Sequence, residues 1–258
     1  MSGADCVKPA RWPLIVGVLI LWVLTNSAQA DEVNVAVAAN FTAPMQKIAA
    51  AFEQASGHRV LLSFGSTGNF QAQIRNGAPF QLLLAADEEV PAQLERDGFA
   101  VSGTRFTYAV GRLVLWSTNP GLVEDKGEIL RSDRFEHIAI ANPRLAPYGA
   151  AGLAVLDRLG LLERLRPKIV QGDNITQAWQ LVATGNAALG FVALSQVQLD
   201  GKLTSGSAWI VPESLHAQIR QDAVLLKPGK DSAAAAGLLQ FLKGDTARRL
   251  IRASGYSF

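Results

Sequence analysis

Four short stretches hold the residues that could do chemistry. They are Ala39-Asn40-Phe41, Ser66-Thr67-Gly68, Pro147-Tyr148-Gly149-Ala150 and Asp173-Asn174-Ile175. Asn40, Ser66, Thr67 and Tyr148 each carry an uncharged hydrogen-bond donor. Each stretch follows an apolar run that reads as a strand and opens a segment with helical spacing. A helix N-terminus presents unpaired N–H groups and about half a positive charge. Four of them aimed at one point could hold a small, doubly negative oxyanion without any Arg or Lys. Taken singly, each stretch is an ordinary turn and cap; the coincidence of four is what points to a site.

Other chemistries fit less well. Gly65-Ser66-Thr67-Gly68 lacks the Gly-x-Ser-x-Gly spacing of a nucleophile elbow. No Lys follows its glycines, so it is not a phosphate-binding P-loop. His58, His137 and His216 are isolated and read as surface residues, and no His or carboxylate spacing suggests a bound metal cation. Asp87 reads as the N-cap of a helix running to about Asp97, outside any contact with an anion it would repel. The five tryptophans form no ladder for stacking sugars.

The elements that must position the four turns alternate strand and helix. Val33–Ala38, Arg59–Phe64 and Leu82–Ala86 read as buried strands. A helix from Phe41 ends at Ser56, with Gly57 as its stop. This βαβαβα rhythm predicts a parallel sheet covered on both faces, in which all four turns would lie at the carboxyl edge. Thr104–Ser117 is too long and apolar for one ordinary strand. Gly111 interrupts it, and it reads as a crossing between two lobes. A second α/β series follows: strands at Ile138–Ala141, Lys168–Gln171 and Leu189–Ala193, and helices from about Ala150 to Leu159 and from Ile175 to about Thr184. Gln221–Leu226 reads as the return crossing, and two helices close the chain near Ser232–Leu242 and Asp245–Ala253. The expected organisation is a hinged clamshell, with lobe I at 31–110 plus 222–258 and lobe II at 111–221.

Residues 1–30 read as a secretory signal peptide. Lys8 and Arg11 form a basic start, Trp12–Leu24 an apolar run of 13 residues, and Ser27-Ala28-Gln29-Ala30 a cleavage site. A spanning helix needs about 20 apolar residues. The single cysteine, Cys6, falls in that leader, which leaves the mature chain without thiol chemistry. The 24 basic and 22 acidic residues are scattered, with no basic stripe for nucleic acid. Soluble export to a bacterial periplasm is expected.

The chain resembles the periplasmic molybdate-binding proteins of bacterial ABC importers, within the type II periplasmic binding protein superfamily. The likeness rests on Val37–Phe41, Ser63–Gly68, Gly77–Phe80 with Leu84–Asp87, Asn142-Pro143 with Ala146–Gly149, and Gly190–Ala193. It implies a two-lobed α/β clamshell of mainly parallel sheets, no enzyme activity and no cofactor. The ligand would be molybdate or tungstate, with a membrane permease as transient partner and a monomer as the working form. It also implies a ligand set: Asn40, Thr67 with Ser66 beside it, Tyr148, and the backbone N–H of Ile175. These would meet the metal atom only through its oxygens. Some members supply a Tyr after the Gly-Phe-Val strand, where this chain has Ala193, and Tyr148 would provide the phenol from the opposite side. The alternative is the same fold holding sulfate or thiosulfate.

Overall fold

A computed structural model describes residues 31–258. The proposed signal peptide lies outside the described residues. The chain forms two five-stranded sheets. The first is built from β1 (Glu32–Ala38), β2 (Arg59–Gly65), β3 (Leu82–Leu84), β4 (Phe106–Gly111) and, from late in the chain, β12 (Ile219–Leu225). The second contains β5 (Leu113–Ser117), β6 (Ile138–Ala141), β7 (Ile169–Gly172), β8 (Leu189–Ala193) and β11 (Ser207–Ile210). A small hairpin, β9 (Gln198–Leu199) and β10 (Lys202–Leu203), lies apart from both.

The spatial orders are β2-β1-β3-β12-β4 and β11-β5-β8-β6-β7. In the first sheet β1 runs parallel to β2 and β3, while β12 is antiparallel to β3 and β4. In the second, β6 is parallel to β7 and β8, and β5 is antiparallel to β8 and β11. Each sheet is thus mainly parallel with one reversed strand. The carboxyl ends of β1, β2, β6 and β7 lead directly into the four turns.

Sequence explains the layering. Val33, Val35, Ala36 and Val37 of β1 and Leu82–Leu84 of β3 are fully buried, as expected for strands with helices on both faces. Helices α1 (Thr42–Ser56), α8 (Ala233–Lys243) and α9 (Asp245–Ala253) cover one face of the first sheet; α2 (Thr67–Arg75) and α3 (Glu89–Arg96) cover the other. Around the second sheet lie α4 (Pro147–Arg158), α5 (Leu162–Leu165), α6 (Ile175–Ala183) and α7 (Leu194–Val197). Gly57 stops α1 in the left-handed conformation at φ +75°.

Three differences from the sequence reading have local causes. Helix α4 starts at Pro147, not Ala150, because proline at N1 brings its own helical φ and lacks only an N–H that would be unpaired anyway. Tyr148 therefore stands in the first helical turn. The long extended run Thr104–Ser117 is two strands in different sheets, broken at Arg112. The segment taken as a return crossing begins earlier, at Ile219, and pairs with β4 inside the first sheet; the chain returns through Val211–Gln218. Among the described residues no helix is long and apolar enough to cross a membrane.

Candidate functional site

All five sequence-predicted residues, Asn40, Ser66, Thr67, Tyr148 and Ile175, line one cavity. The rest of its wall is Ala38, Ala39, Gly65, Ala86, Ala146, Pro147 and Asn174, so no charged side chain faces it. Its free volume is about 10 Å³, space for about one water-sized sphere. Only a guest of a few atoms fits among these residues.

The hydrogen-bond supply is uneven, and informative. Ser66 is the N-cap of α2, yet its side chain makes no capping bond. Its Oγ is buried without any partner. A buried hydroxyl left unpaired costs about 1–3 kcal/mol, and serine at an N-cap ordinarily avoids that by bonding the helix. Thr67 Oγ1 accepts the Ala86 N–H at 2.9 Å, which leaves its own hydrogen free to donate. At α6, Asn174 Oδ1 accepts from Thr176 N at 2.9 Å and Gln177 N at 3.1 Å. That capping bond leaves the first N–H of the helix, at Ile175, for the cavity.

Tyr148 presents its hydroxyl from the second lobe. The Tyr148 oxygen accepts from Gln221 Nε2 at 3.2 Å. Burial pushes the Tyr148 and Tyr108 phenols well above their ordinary value, and pushes Tyr256 up to about 12. All three stay protonated at neutral pH and can act as donors. Asn40 lies at the wall, but both hydrogens of its amide are engaged, with Gln221 Oε1 at 2.8 Å and Tyr256 Oη at 2.9 Å. Its side chain thus serves the structure behind the cavity, and its backbone serves the turn in front.

The lobes touch across this site. Gly68 N donates to Leu145 O at 2.9 Å, Ser195 Oγ to Asn40 O at 2.9 Å, and Thr176 Oγ1 to Ala39 O at 3.3 Å. A side chain at Gly68 would press on the Leu145 backbone, so this glycine permits the close approach.

Outside the cavity the cleft widens into a groove of about 570 Å³ whose wall includes Asp87, Glu88, Glu89, Arg144 and Arg220. Asp87 caps the chain ahead of α3, its Oδ1 accepting from Val90 N at 2.8 Å, and lies outside the inner wall. Burial, reinforced by nearby Glu89 and Asp222, raises its carboxyl from 3.8 to about 6.

One expectation about histidine needs correcting. His216 is buried, 5 % exposed, because the returning chain folds it under the crossing. Its Nδ1 lies 2.7 Å from Ala217 O, while Nε2 has no partner. Among the described residues no group of three or more His, Cys, Asp or Glu side chains could hold a metal ion.

Sequence reasoning missed Gln221, Tyr256 and Ser195, which hold the cavity from behind. Gln221 left a faint trace. Strand alternation puts it on the same face as the apolar Ile219, Ala223 and Leu225, where a polar residue is out of place. Tyr256 left none, being one aromatic residue near the end of the chain.

The fold and cleft are those of a solute-binding protein, and residues 33–257 match the model of the bacterial extracellular solute-binding protein family. The chain belongs to that family. It is 59% identical over 233 residues to the molybdate-binding protein ModA of Azotobacter vinelandii, covering 90% of this chain and 92% of the relative. It is 52% identical to ModA of Rhodobacter capsulatus, covering 90% and 91%. The solved structure of the Azotobacter vinelandii periplasmic molybdate-binding protein superposes with a TM-score of 0.85 at 43% identity, over 88% of this chain and 99% of that one. The expected two-lobed, type II periplasmic-binding-protein fold therefore holds, and these relatives are named as molybdate-binding proteins.

Proposed function

We propose that this protein captures molybdate or tungstate between its lobes and delivers it to the membrane permease of an ATP-driven importer. The observation that carries this reading is the buried, unpartnered Ser66 hydroxyl in a cavity without charged side chains. Its missing partner is an acceptor, and the Thr67 and Tyr148 hydroxyls and the Ile175 N–H supply further donors to the same point. Relatives named for molybdate binding support the choice of ion.

Specificity follows from the donor set. A fully deprotonated dianion can accept from every donor. A protonated phosphate brings a hydrogen that no carboxylate in the wall can take, and a buried unpaired donor costs about 1–3 kcal/mol. Sulfate carries the same charge and shape, so only size separates it, through hydrogen bonds left slack around a smaller tetrahedron. The protein works as an exported monomer in the periplasm. Its lobes, 31–111 with 219–258 and 112–218, swing about Arg112 and the Val211–Gln218 segment to admit and release the ion.

Calorimetry and native mass spectrometry with molybdate, tungstate, sulfate and phosphate test this. Molybdate and tungstate should bind one per chain, sulfate far more weakly, and phosphate not at all. Equal affinity for sulfate, or no binding of molybdate and tungstate, overturns the assignment.

A further inference from the structure

Behind the cavity lies a chain of buried hydrogen bonds whose direction can be worked out from one fixed point. The Asn40 backbone carbonyl can only accept. The Tyr256 hydroxyl lies 2.8 Å from it and 3.0 Å from Ser195 Oγ, which itself donates to that carbonyl, and the Tyr256 proton goes to one of these two acceptors. With its only proton spent, Tyr256 Oη accepts from Asn40 Nδ2 at 2.9 Å. That bond fixes which way the Asn40 amide faces, and its second hydrogen goes to Gln221 Oε1 at 2.8 Å. The Gln221 amide is thereby oriented too, and its nitrogen meets the Tyr148 oxygen at 3.2 Å. An amide nitrogen only donates, so Tyr148 must accept there, and its own hydrogen points away from Gln221. Tyr108 Oη lies 3.0 Å from both Gln221 Oε1 and the Ala85 carbonyl, so its one proton is shared between two acceptors.

The backbone is shaped around this meeting. The register between β12 and β4 slips between Gln221 and Asp222, pairing Gln221 with Ala109 and Asp222 with Thr107, so that Tyr108 bulges out of the ladder. A side chain at Gly111 would overlap the Tyr148 hydroxyl and crowd Gln221 Nε2. Gln221 is fully buried and is not part of the cavity wall.

We infer that Gln221 is a positioning residue that makes Tyr148 a hydrogen-bond donor toward the anion, in a one-way relay running from Tyr256 through Asn40 and Gln221. The inference rests on the functional reading above for the identity of the anion, and on geometry for the relay. Gln221, Asn40 and Tyr256 belong to the first lobe and Tyr148 to the second, so the relay is complete only when the lobes meet. Closure and donor orientation are then one event.

A double-mutant cycle tests it. Gln221→Met keeps the side chain's bulk and removes both polar ends. Read by calorimetry with molybdate, it should weaken binding about 10- to 100-fold in the wild-type background. In a Tyr148→Phe background it should add almost nothing, because the group it orients is gone. An equal loss in both backgrounds would mean that Gln221 supports the hinge only, and would overturn the relay. Tyr256→Phe, at the relay's origin, should show the same dependence on Tyr148 and serves if Gln221→Met does not fold.

The relay is also readable without any ligand. The side-chain amide resonances of Gln221 should shift in Tyr256→Phe, because Tyr256, Asn40 and Gln221 all lie in the first lobe. Resonances indifferent to that substitution would overturn the relay, whatever the protein binds. If wild-type protein binds no molybdate while that shift appears, the choice of ion fails and this part of the relay stands.

Discussion

Two neighbouring parts of one cleft are built on opposite principles. The inner cavity is small and lined by hydroxyl, amide, backbone and apolar groups, none of them charged. The outer groove is much roomier and charged, with Asp87, Glu88, Glu89 and Arg220 on the first-lobe bank and Arg144 on the other. The difference separates two tasks. Groups that touch a dianion must not change charge with pH or drag a counter-ion into a dry site, where an unpaired charge is costly. Groups that meet it on the way in work through water, where charge guides an approach and holds little. A formal cation inside would also bind any anion. Neutral donors of fixed direction leave room for size and protonation state to decide.

The contrast can be broken from the inside first. Tyr148→Phe removes a donor to a charged guest from a fully desolvated position. Molybdate affinity should fall by about 1.5–3 kcal/mol, roughly 10- to 150-fold, as read by calorimetry. An unchanged dissociation constant would place the phenol outside the contact set.

The next effect belongs to the groove, and appears in stability. The Asp87 carboxyl is raised from 3.8 to about 6 by burial, so between those values the folded chain holds more protons than the unfolded one. Stability should fall as pH rises from about 4 to about 6 and then level off. Asp87→Asn keeps the acceptor for the Val90 N–H and removes the charge. It should raise the melting temperature above pH 6, by an amount worth on the order of 2 kcal/mol, and do little below pH 4. A variant less stable than wild type at pH 8 would show that the ionised cap outweighs its desolvation.

Ser66→Ala sharpens the contrast, since its two consequences have opposite signs. Removing an unpartnered buried hydroxyl should stabilise the free protein by about 1 kcal/mol. Removing a ligand's donor should weaken molybdate binding by a similar amount. Thermal unfolding without and with molybdate reads both, and a loss of stability in the free protein would mean that Ser66 has a structural partner.

How much of this was legible beforehand follows the same division. The alternation of apolar runs and helical spacing announced the strands and helices, and short polar turns after buried strands announced the cavity wall. Asn40, Ser66 and Thr67 on one side, and Tyr148 and Ile175 on the other, are gathered because each mainly parallel sheet brings carboxyl ends to one edge, a rule that can be applied to a sequence, and the two edges meet at the cavity. The chain could not be read for Gln221 and Tyr256. They reach the site from a returning strand and from the terminus, and their contacts span 181 and 216 residues from Asn40. The helix start at Pro147 was misplaced because a glycine and two alanines after Tyr148 resemble a loop as much as a first turn. His216 was misread because nothing local says that the crossing folds over it.

The smallest effect tests whether the groove's charges guide the anion or hold it. Arg220 reaches Glu88 at 3.0 Å and Thr107 Oγ1 at 2.9 Å, and is 44 % exposed. An exposed pair of this kind contributes between nothing and about 1 kcal/mol to stability, so Arg220→Ala should leave the melting temperature almost unchanged. If the groove guides, the substitution lowers the association rate of molybdate at low salt by a few-fold, the difference shrinks as salt rises through roughly 0.1 M, and the dissociation rate stays the same. Stopped-flow measurements at two ionic strengths separate these terms. A faster dissociation that salt does not alter would put Arg220 in contact with the bound ion, and the division between a neutral interior and a charged approach would then be wrong.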